Sequence, residues 1–191
     1  MKESQRDRRH LSAALRRLLA FEESFGVESV ERGKDLASRR KDRGASSGSG
    51  ELEALRQVVS VCVKCPLHRG RTQTVFGEGS QTAKLMFVGE APGMEEDLKG
   101  RPFVGPAGKL LTKIIEAIGL RREEVYIANV IKCRPPGNRG PLPEEVHTCT
   151  PYLEKQIQLI RPRLLCALGK YATSVLVRQE GAISELRGRF Y

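Results

Sequence analysis

From residue 84 onward, short apolar segments alternate with longer segments that have helical periodicity. The apolar segments lie at 84–89, 125–131 and 164–168, and the helical ones at 106–118, 143–160 and 170–177. Each apolar segment has the length of a buried strand and is too short for a buried helix. Strands that are separated by helices predict a parallel sheet with helices on both faces, so the fold class is α/β.

The helical segment at 106–118 carries its apolar residues on one face, followed by Gly119, which is typical of a helix end. We expect this face to pack on the sheet, and a further short helix at 51–60 to precede the first cysteines. The predicted core-facing residues of segment 106–118 are Leu110, Leu111, Ile114, Ile115 and Ile118.

Two polar residues lie at or near the carboxyl ends of predicted strands, where ligands of parallel sheets bind. Glu90 follows the first strand and could orient water or stabilise positive charge that develops on a sugar. The alternative is that Glu90 is a helix-capping acid. Asn129 is the polar exception in the second strand, and its amide could match one edge of a base. The alternative is an asparagine that pairs with neighbouring backbone.

A loop rich in glycine and proline at 100–108 contains one aromatic residue, Phe103. Such a loop can bring backbone donors close to a ligand while it holds the ring in a fixed position. Phe103 could therefore be a stacking platform for a flat base. The alternative is that Phe103 is an ordinary core residue.

Four of the five cysteines have the spacing of metal ligands. Cys62 and Cys65 form a CxxC pair, and Cys133 and Cys149 follow much later in the chain. Four thiolates suit either tetrahedral zinc or an iron–sulfur cluster. Ordinary buried cysteines and a thioredoxin-like redox pair are the alternatives. Cys166 lies inside a predicted strand and is expected to be a small core residue.

The first fifty residues differ from the rest of the chain. They contain 12 Lys and Arg residues and eight Asp and Glu residues, without cysteine or proline. The sequence ASSGSG at 45–50 is typical of a flexible linker. Helical spacing of apolar residues predicts one helix around 10–24. We therefore expect an amino-terminal arm at 1–50, either loosely docked or tethering nucleic acid, and a domain at 51–191.

The charge balance bears on partners and compartment. The chain has 33 Lys and Arg residues against 23 Asp and Glu residues, a formal net charge of +10 that favours polyanions such as nucleic acid. No apolar run approaches the roughly 20 residues that span a bilayer, so we expect no membrane association. The charged amino terminus lacks the apolar stretch of an export signal. We therefore expect a cytoplasmic protein, and a monomer.

Several motifs occur together in one order: the Cys62 and Cys65 pair, FGEG at 76–79, GEAPG at 89–93, GRPFVGPAG at 100–108, YIANVIKCRPPGNR at 126–139, PLPEEVHTCTPYL at 141–153 and LLCALGKYA at 164–172. Through these motifs the chain, from about residue 62 onward, resembles the type-4 uracil-DNA glycosylases, the iron–sulfur branch of the uracil-DNA glycosylase superfamily. The resemblance implies a three-layer α/β/α sandwich with a central, mainly parallel sheet.

The resemblance also implies a function and its residues. The reaction would be hydrolysis of the bond between uracil and deoxyribose in single- or double-stranded DNA, a step of base excision repair. Glu90 would serve the attacking water, Phe103 would stack on the extruded uracil, and Asn129 would bind the edge of the base. Backbone around Gly89 and Ala91 would line the same pocket. The implied cofactor is a 4Fe–4S cluster on Cys62, Cys65, Cys133 and Cys149, with zinc on the same cysteines as the second choice.

The sequence departs from the family at one place. Members continue to a His-Pro motif whose histidine contacts uracil, and none of the three histidines here is followed by proline. We therefore expect a chain truncated before that motif, with weak activity or none. The loop at 134–140 has no histidine, which disfavours the related branch that traps DNA covalently.

Three other functions remain open from the sequence. The same fold and cluster could form a nucleic-acid-binding module without catalysis. The four cysteines could stabilise a zinc-containing interaction domain, and the chain could be the amino-terminal domain of a larger polymerase-like protein.

Overall fold

The computed structural model describes residues 46–177, 183–186 and Tyr191. Residues 1–45 of the predicted arm, with the helix expected around 10–24, lie outside these residues. The first described helix begins at Ser46 and not at residue 51, so the segment expected to be a flexible linker is helical from residue 46. Serine is well tolerated at helix amino ends, which allows the helix to extend into this segment.

The helices and strands follow the predicted order, with one additional strand. In chain order they are α1 (Ser46–Ser60), β1 (Glu78–Gly79), β2 (Leu85–Gly89), α2 (Met94–Lys99), α3 (Pro106–Ala117), β3 (Tyr126–Asn129), α4 (Pro143–Ile160), β4 (Leu164–Ala167), α5 (Lys170–Val177) and α6 (Ile183–Leu186). Short 3₁₀ turns lie at Pro66–Arg69, Arg122–Glu124 and Pro136–Asn138.

The sheet has four strands in the order β1-β3-β2-β4. Strand β2 pairs in parallel with β3 on one side and with β4 on the other, as the alternation of segments predicts. Strand β1 was not predicted, and it pairs antiparallel with β3. Gly79 of β1 has φ of 122°, and a Cβ there would lie 2.9 Å from the Cα of Tyr126, so this position requires glycine.

Helices cover both faces of the sheet, because alternate strand residues point to opposite sides. Met86 and Val88 lie in a core cluster with residues of α1, α4 and α5. Phe87 and Ile127 lie in a second cluster with residues of α3. Full burial of such a side chain contributes about 1.5–3 kcal/mol. These two clusters make the domain the expected three-layer α/β/α sandwich.

One prediction about α3 is wrong. Leu111 and Ile115 are buried as expected, but Leu110 is 60% exposed and Ile114 is 47% exposed. Only a narrow face of the helix contacts the sheet, and residues four apart, such as Leu111 and Ile115, occupy that face. Among the described residues, no helix is both long and apolar enough to cross a membrane.

Candidate active site and four-cysteine site

The pairing of β2 with β3 brings two predicted site residues to one sheet edge. Gly89 is the register partner of Asn129, and Glu90 follows Gly89 directly. A Cβ at Gly89 would lie 2.5 Å from Oδ1 of Asn129 and would collide with the ring of Phe103. The structure therefore places the amide of Asn129 and the ring of Phe103 together against the backbone of Gly89. The absent side chain of Gly89 provides the space in which they meet.

Asn129 is buried, with 1% of its surface exposed. Its Oδ1 has no hydrogen-bond partner, the one such buried side-chain atom in the described part of the chain. A buried acceptor without a partner costs about 1–3 kcal/mol. The interpretation that this oxygen pairs with neighbouring backbone is therefore wrong, and the atom is available to a donor on a ligand.

Glu90 is half-buried, and desolvation raises the pKa of its carboxyl group. Within residues 46–177 its side chain makes no hydrogen bond or ion pair, while its carbonyl accepts from the N–H of Ile131 at 3.1 Å. The acid that caps a helix here is Glu96 and not Glu90. Glu96 accepts from the N–H of Gly93 at the start of α2, at 3.2 Å. Glu90 is thus a carboxyl group without a structural partner beside Gly89.

Glu96 also fixes the backbone that follows Phe103. Phe103 has φ of 51°, a left-handed conformation that is uncommon for a residue with a side chain. Oε1 of Glu96 accepts from the N–H groups of Val104 and Gly105, both at 2.9 Å. Burial alone would raise the pKa of Glu96, but these backbone donors outweigh burial and hold it below its usual value.

Arg122 holds the same loop from the residue before Phe103. Its Nη2 donates to the carbonyl of Pro102 at 2.5 Å, and its Nε donates to Glu78 at 2.8 Å. Arg101 donates to the other carboxylate oxygen of Glu78 at 2.7 Å. Burial raises the pKa of Glu78, but the two arginines outweigh it and lower that pKa overall. Two carboxylates and an arginine therefore fix the loop that carries the ring.

Sequence reasoning did not identify Glu78, Glu96 or Arg122. Glu96 lies seven residues before Phe103 in a charged segment that looks like an exposed helix face.

Ala91, which was predicted to line the pocket, packs against the core cluster on the α1 side of the sheet. Its role toward a ligand stays a prediction.

The four predicted metal ligands line one cavity between the end of α1, the segment after β3 and α4. The lining residues are Val59, Cys62, Cys65, Arg71, Lys132, Cys133, Thr148, Cys149 and Tyr152. Cys166 is not among them and packs in the cluster with Phe87. Within the described ranges, no three His, Cys, Asp or Glu side chains form a group that could hold one metal ion. The four cysteines thus line one cavity.

Polar groups surround the sulfurs. Nη1 of Arg71 donates to Sγ of Cys133 at 3.2 Å and to the carbonyl of Cys62 at 2.7 Å. The hydroxyl of Tyr152 donates to Sγ of Cys62 at 3.3 Å. Burial raises the pKa of Cys149 to about 11 and also raises that of Cys133. Arg71 was not identified from the sequence, although it lies six residues after Cys65.

Polar residues that meet at the carboxyl ends of parallel strands are typical of a ligand-binding α/β domain. The family model of the uracil DNA glycosylase superfamily matches residues 76–190, more than half of the chain. The chain therefore belongs to the uracil DNA glycosylase superfamily. Cys62 and Cys65 lie before the matched range.

Relatives of known type confirm the resemblance to the type-4 group. The type-4 uracil-DNA glycosylase of Archaeoglobus fulgidus is 50% identical over 143 residues, which cover 73% of this chain and 71% of that protein. The type-4 uracil-DNA glycosylase of Thermotoga maritima is 49% identical over 138 residues, 72% of each chain. A type-5 uracil-DNA glycosylase of Pyrobaculum aerophilum is 32% identical over 137 residues, which cover 61% of this chain and 60% of that protein.

Proposed function

We propose that this chain is a DNA repair glycosylase that hydrolyses the bond between uracil and deoxyribose, leaving free uracil and an abasic site. The convergence of Asn129 and Phe103 at Gly89, directly before Glu90, carries the proposal. The names of the type-4 relatives support it independently. The substrate is uracil-containing DNA, in which the base must leave the helix stack to reach a buried amide.

Asn129 selects the base. In the orientation found, Oδ1 accepts the N3–H of uracil, and the amide nitrogen faces its O4. Cytosine has an acceptor at N3 and a donor at the neighbouring exocyclic amine, so it leaves Oδ1 of Asn129 without a partner. That mismatch costs about 1–3 kcal/mol. The same ligand N–H that satisfies the buried oxygen therefore distinguishes uracil from cytosine.

Phe103 provides a flat surface for the extruded base. Stacking of a base on an aromatic ring contributes about 1–3 kcal/mol. Glu96 accepts hydrogen bonds from the backbone after Phe103, and Arg122 donates to the backbone before it. The ring is therefore held before DNA binds, so binding loses little conformational entropy.

Glu90 acts on the water and on the sugar. The water oxygen forms a bond to C1′ while the bond from C1′ to N1 of uracil breaks, and the electron pair leaves with uracil. A carboxylate at Glu90 orients the water, accepts its proton and stabilises the positive charge that develops on the sugar. Its carboxyl group has no partner within residues 46–177, which leaves both oxygens available for this work.

We propose that Cys62, Cys65, Cys133 and Cys149 hold a 4Fe–4S cluster. The donor set fits, because four thiolates line one cavity and each can bind a different iron. Tetrahedral zinc needs all four sulfurs at about 2.3 Å from one centre. The type-4 names of the relatives favour the cluster over zinc, because the resemblance to that group implies an iron–sulfur protein. When bound, the cluster supplies a covalent link between α1, the end of β3 and α4. Protein purified without air should be brown, whereas a zinc protein is colourless.

The experiment is a single-turnover cleavage assay with excess protein and a single-stranded oligonucleotide that contains one uracil. We expect weak but measurable release of uracil from this substrate and none from matched thymine or cytosine oligonucleotides. Glu90→Gln is the control, and its rate should be at least about a hundredfold lower. Binding of DNA without any release of uracil would refute the proposal in favour of a binding module.

A further inference from the structure

Lys132 lies between the cavity of the four cysteines, which it lines, and Asn129, to whose carbonyl it donates. Its side chain is 1% exposed, and its ammonium donates to the carbonyl of Asn129 at 2.8 Å and to Oε1 of Gln156 at 2.6 Å. In the part of the chain that the structure describes, no carboxylate pairs with it. A buried ammonium that has only neutral acceptors is costly, so a source of negative charge is expected nearby.

That charge lies on the cysteine side of Lys132. Lys132 lines the cavity of the four cysteines, and Cys149 lines the same cavity. A 4Fe–4S cluster with four thiolates has a net negative charge. The cations on this cavity are Lys132 and Arg71, which donates to Cys133 from the other side. Together they offer the compensating positive charge.

On the pocket side, Lys132 fixes the end of β3. Gln156 accepts from Lys132 and, through Nε2, donates to the carbonyl of Phe76 at 2.9 Å and to the hydroxyl of Tyr126 at 3.3 Å. These contacts fix which end of the Gln156 amide faces the ammonium. The carbonyl of Asn129 is thereby tied to α4 through one buried chain of hydrogen bonds.

We infer that Lys132 is a positioning residue that couples the cysteine site to base recognition: its charge compensates the bound cluster, and its ammonium holds the backbone from which Asn129 faces uracil. The inference rests on the proposed function and adds a physical route from the cluster to the pocket. It gives the cluster a role in selectivity beyond holding the fold together.

The test uses the whole chain purified without air, with Lys132→Met compared with Lys113→Met, which changes an exposed lysine of α3. Two readouts are taken: the rate of iron loss to a chelator, and the affinity for single-stranded DNA that contains 2′-fluoro-2′-deoxyuridine, which resists cleavage. Affinity is compared with that for the matching 2′-fluoro-2′-deoxycytidine strand.

For Lys132→Met we expect iron loss about tenfold faster. In its iron-loaded fraction we expect the preference for uracil over cytosine to fall about tenfold. Lys113→Met should match the wild type in both readouts. If Lys132→Met changes neither readout or only one, the coupling is refuted. If Lys132→Met does not fold, Lys132→Arg, which keeps the positive charge, is measured instead. It should lose iron at close to the wild-type rate, and rapid iron loss from Lys132→Arg refutes the inference. A wild-type chain without iron or without preference for uracil refutes the proposed function itself.

Discussion

Gly89 lies opposite Asn129 in the parallel pairing of β2 with β3, and a methyl group on Gly89 would lie 2.5 Å from Oδ1 of Asn129. The same methyl group would collide with the ring of Phe103. A single missing side chain therefore determines whether the amide and the ring can both face a base.

Gly89→Ala tests this relationship. The added methyl group must displace Asn129 or Phe103, so we expect uracil release to fall at least about a hundredfold. The thermal unfolding midpoint should also fall, because a methyl group that is forced into a buried, filled position costs about 1–3 kcal/mol. Single-turnover cleavage and circular dichroism melting measure the two effects. Wild-type cleavage by Gly89→Ala would show that the base does not occupy this space.

Asn129→Ala removes an acceptor that has no partner among the residues that the structure describes. We therefore expect the free protein to lose little stability from hydrogen bonding. The rate of uracil excision should fall roughly 5- to 150-fold, which corresponds to a loss of about 1–3 kcal/mol of binding free energy. Cleavage rates and melting curves of the same preparation provide the comparison. A large loss of stability with unchanged excision would assign Asn129 a purely structural role.

The pH dependence follows from Glu90. Burial raises its pKa above the ordinary value of 4.5, and water activation requires the ionised carboxylate. The cleavage rate should therefore decline as the pH falls through this raised pKa, above the range of an exposed glutamate. Folding disfavours the ionised form of Glu90, so Glu90→Gln should melt no lower than the wild type at neutral pH. A rate that does not vary with acidity down to pH 4.5 would contradict the role of Glu90.

Glu96→Ala removes the carboxylate that accepts from Val104 and Gly105. We expect a loss of about 1–3 kcal/mol in the free energy of unfolding, together with weaker uracil binding because Phe103 is no longer held. Since folding lowers the pKa of Glu96, its contribution is present at neutral pH and is lost as the pH falls through that lowered pKa.

Glu95→Ala is the matched control for Glu96→Ala, because the carboxylate of Glu95 forms an exposed ion pair with Lys99 at 3.1 Å. Exposed pairs of this kind contribute about 0–1 kcal/mol. Denaturant unfolding of both variants measures the difference. Equal stability of the two variants would show that Glu96 does not fix the loop.

Local patterns predicted most of the fold. Helix α4 has the bounds predicted, and the strand ends fall where Glu90 and Asn129 were expected to meet. Strand β1 was missed because two residues are too few to show a period of two. The periodicity of α3 also could not distinguish Leu111 and Ile115, which face the sheet, from Leu110 and Ile114, which lie beside them and are exposed.

The supporting residues of the site could not be predicted in this way. Arg122 reaches Glu78 across 44 positions, and Lys132 reaches Gln156 across 24. Charged residues at such separations have no local signature, and a buried lysine is uncommon enough that sequence alone favours exposure. The proposed catalytic and base-binding positions could be predicted because strand ends and a family resemblance point to them. The contacts that hold them become apparent only in three dimensions.

The most direct measurement is a structure of this chain bound to single-stranded DNA that contains uncleavable 2′-fluoro-2′-deoxyuridine. The account predicts uracil stacked on Phe103, with its N3 within hydrogen-bond distance of Oδ1 of Asn129 and a water between Glu90 and C1′. An uracil bound elsewhere, or Oδ1 of Asn129 still without a partner in that complex, would contradict it.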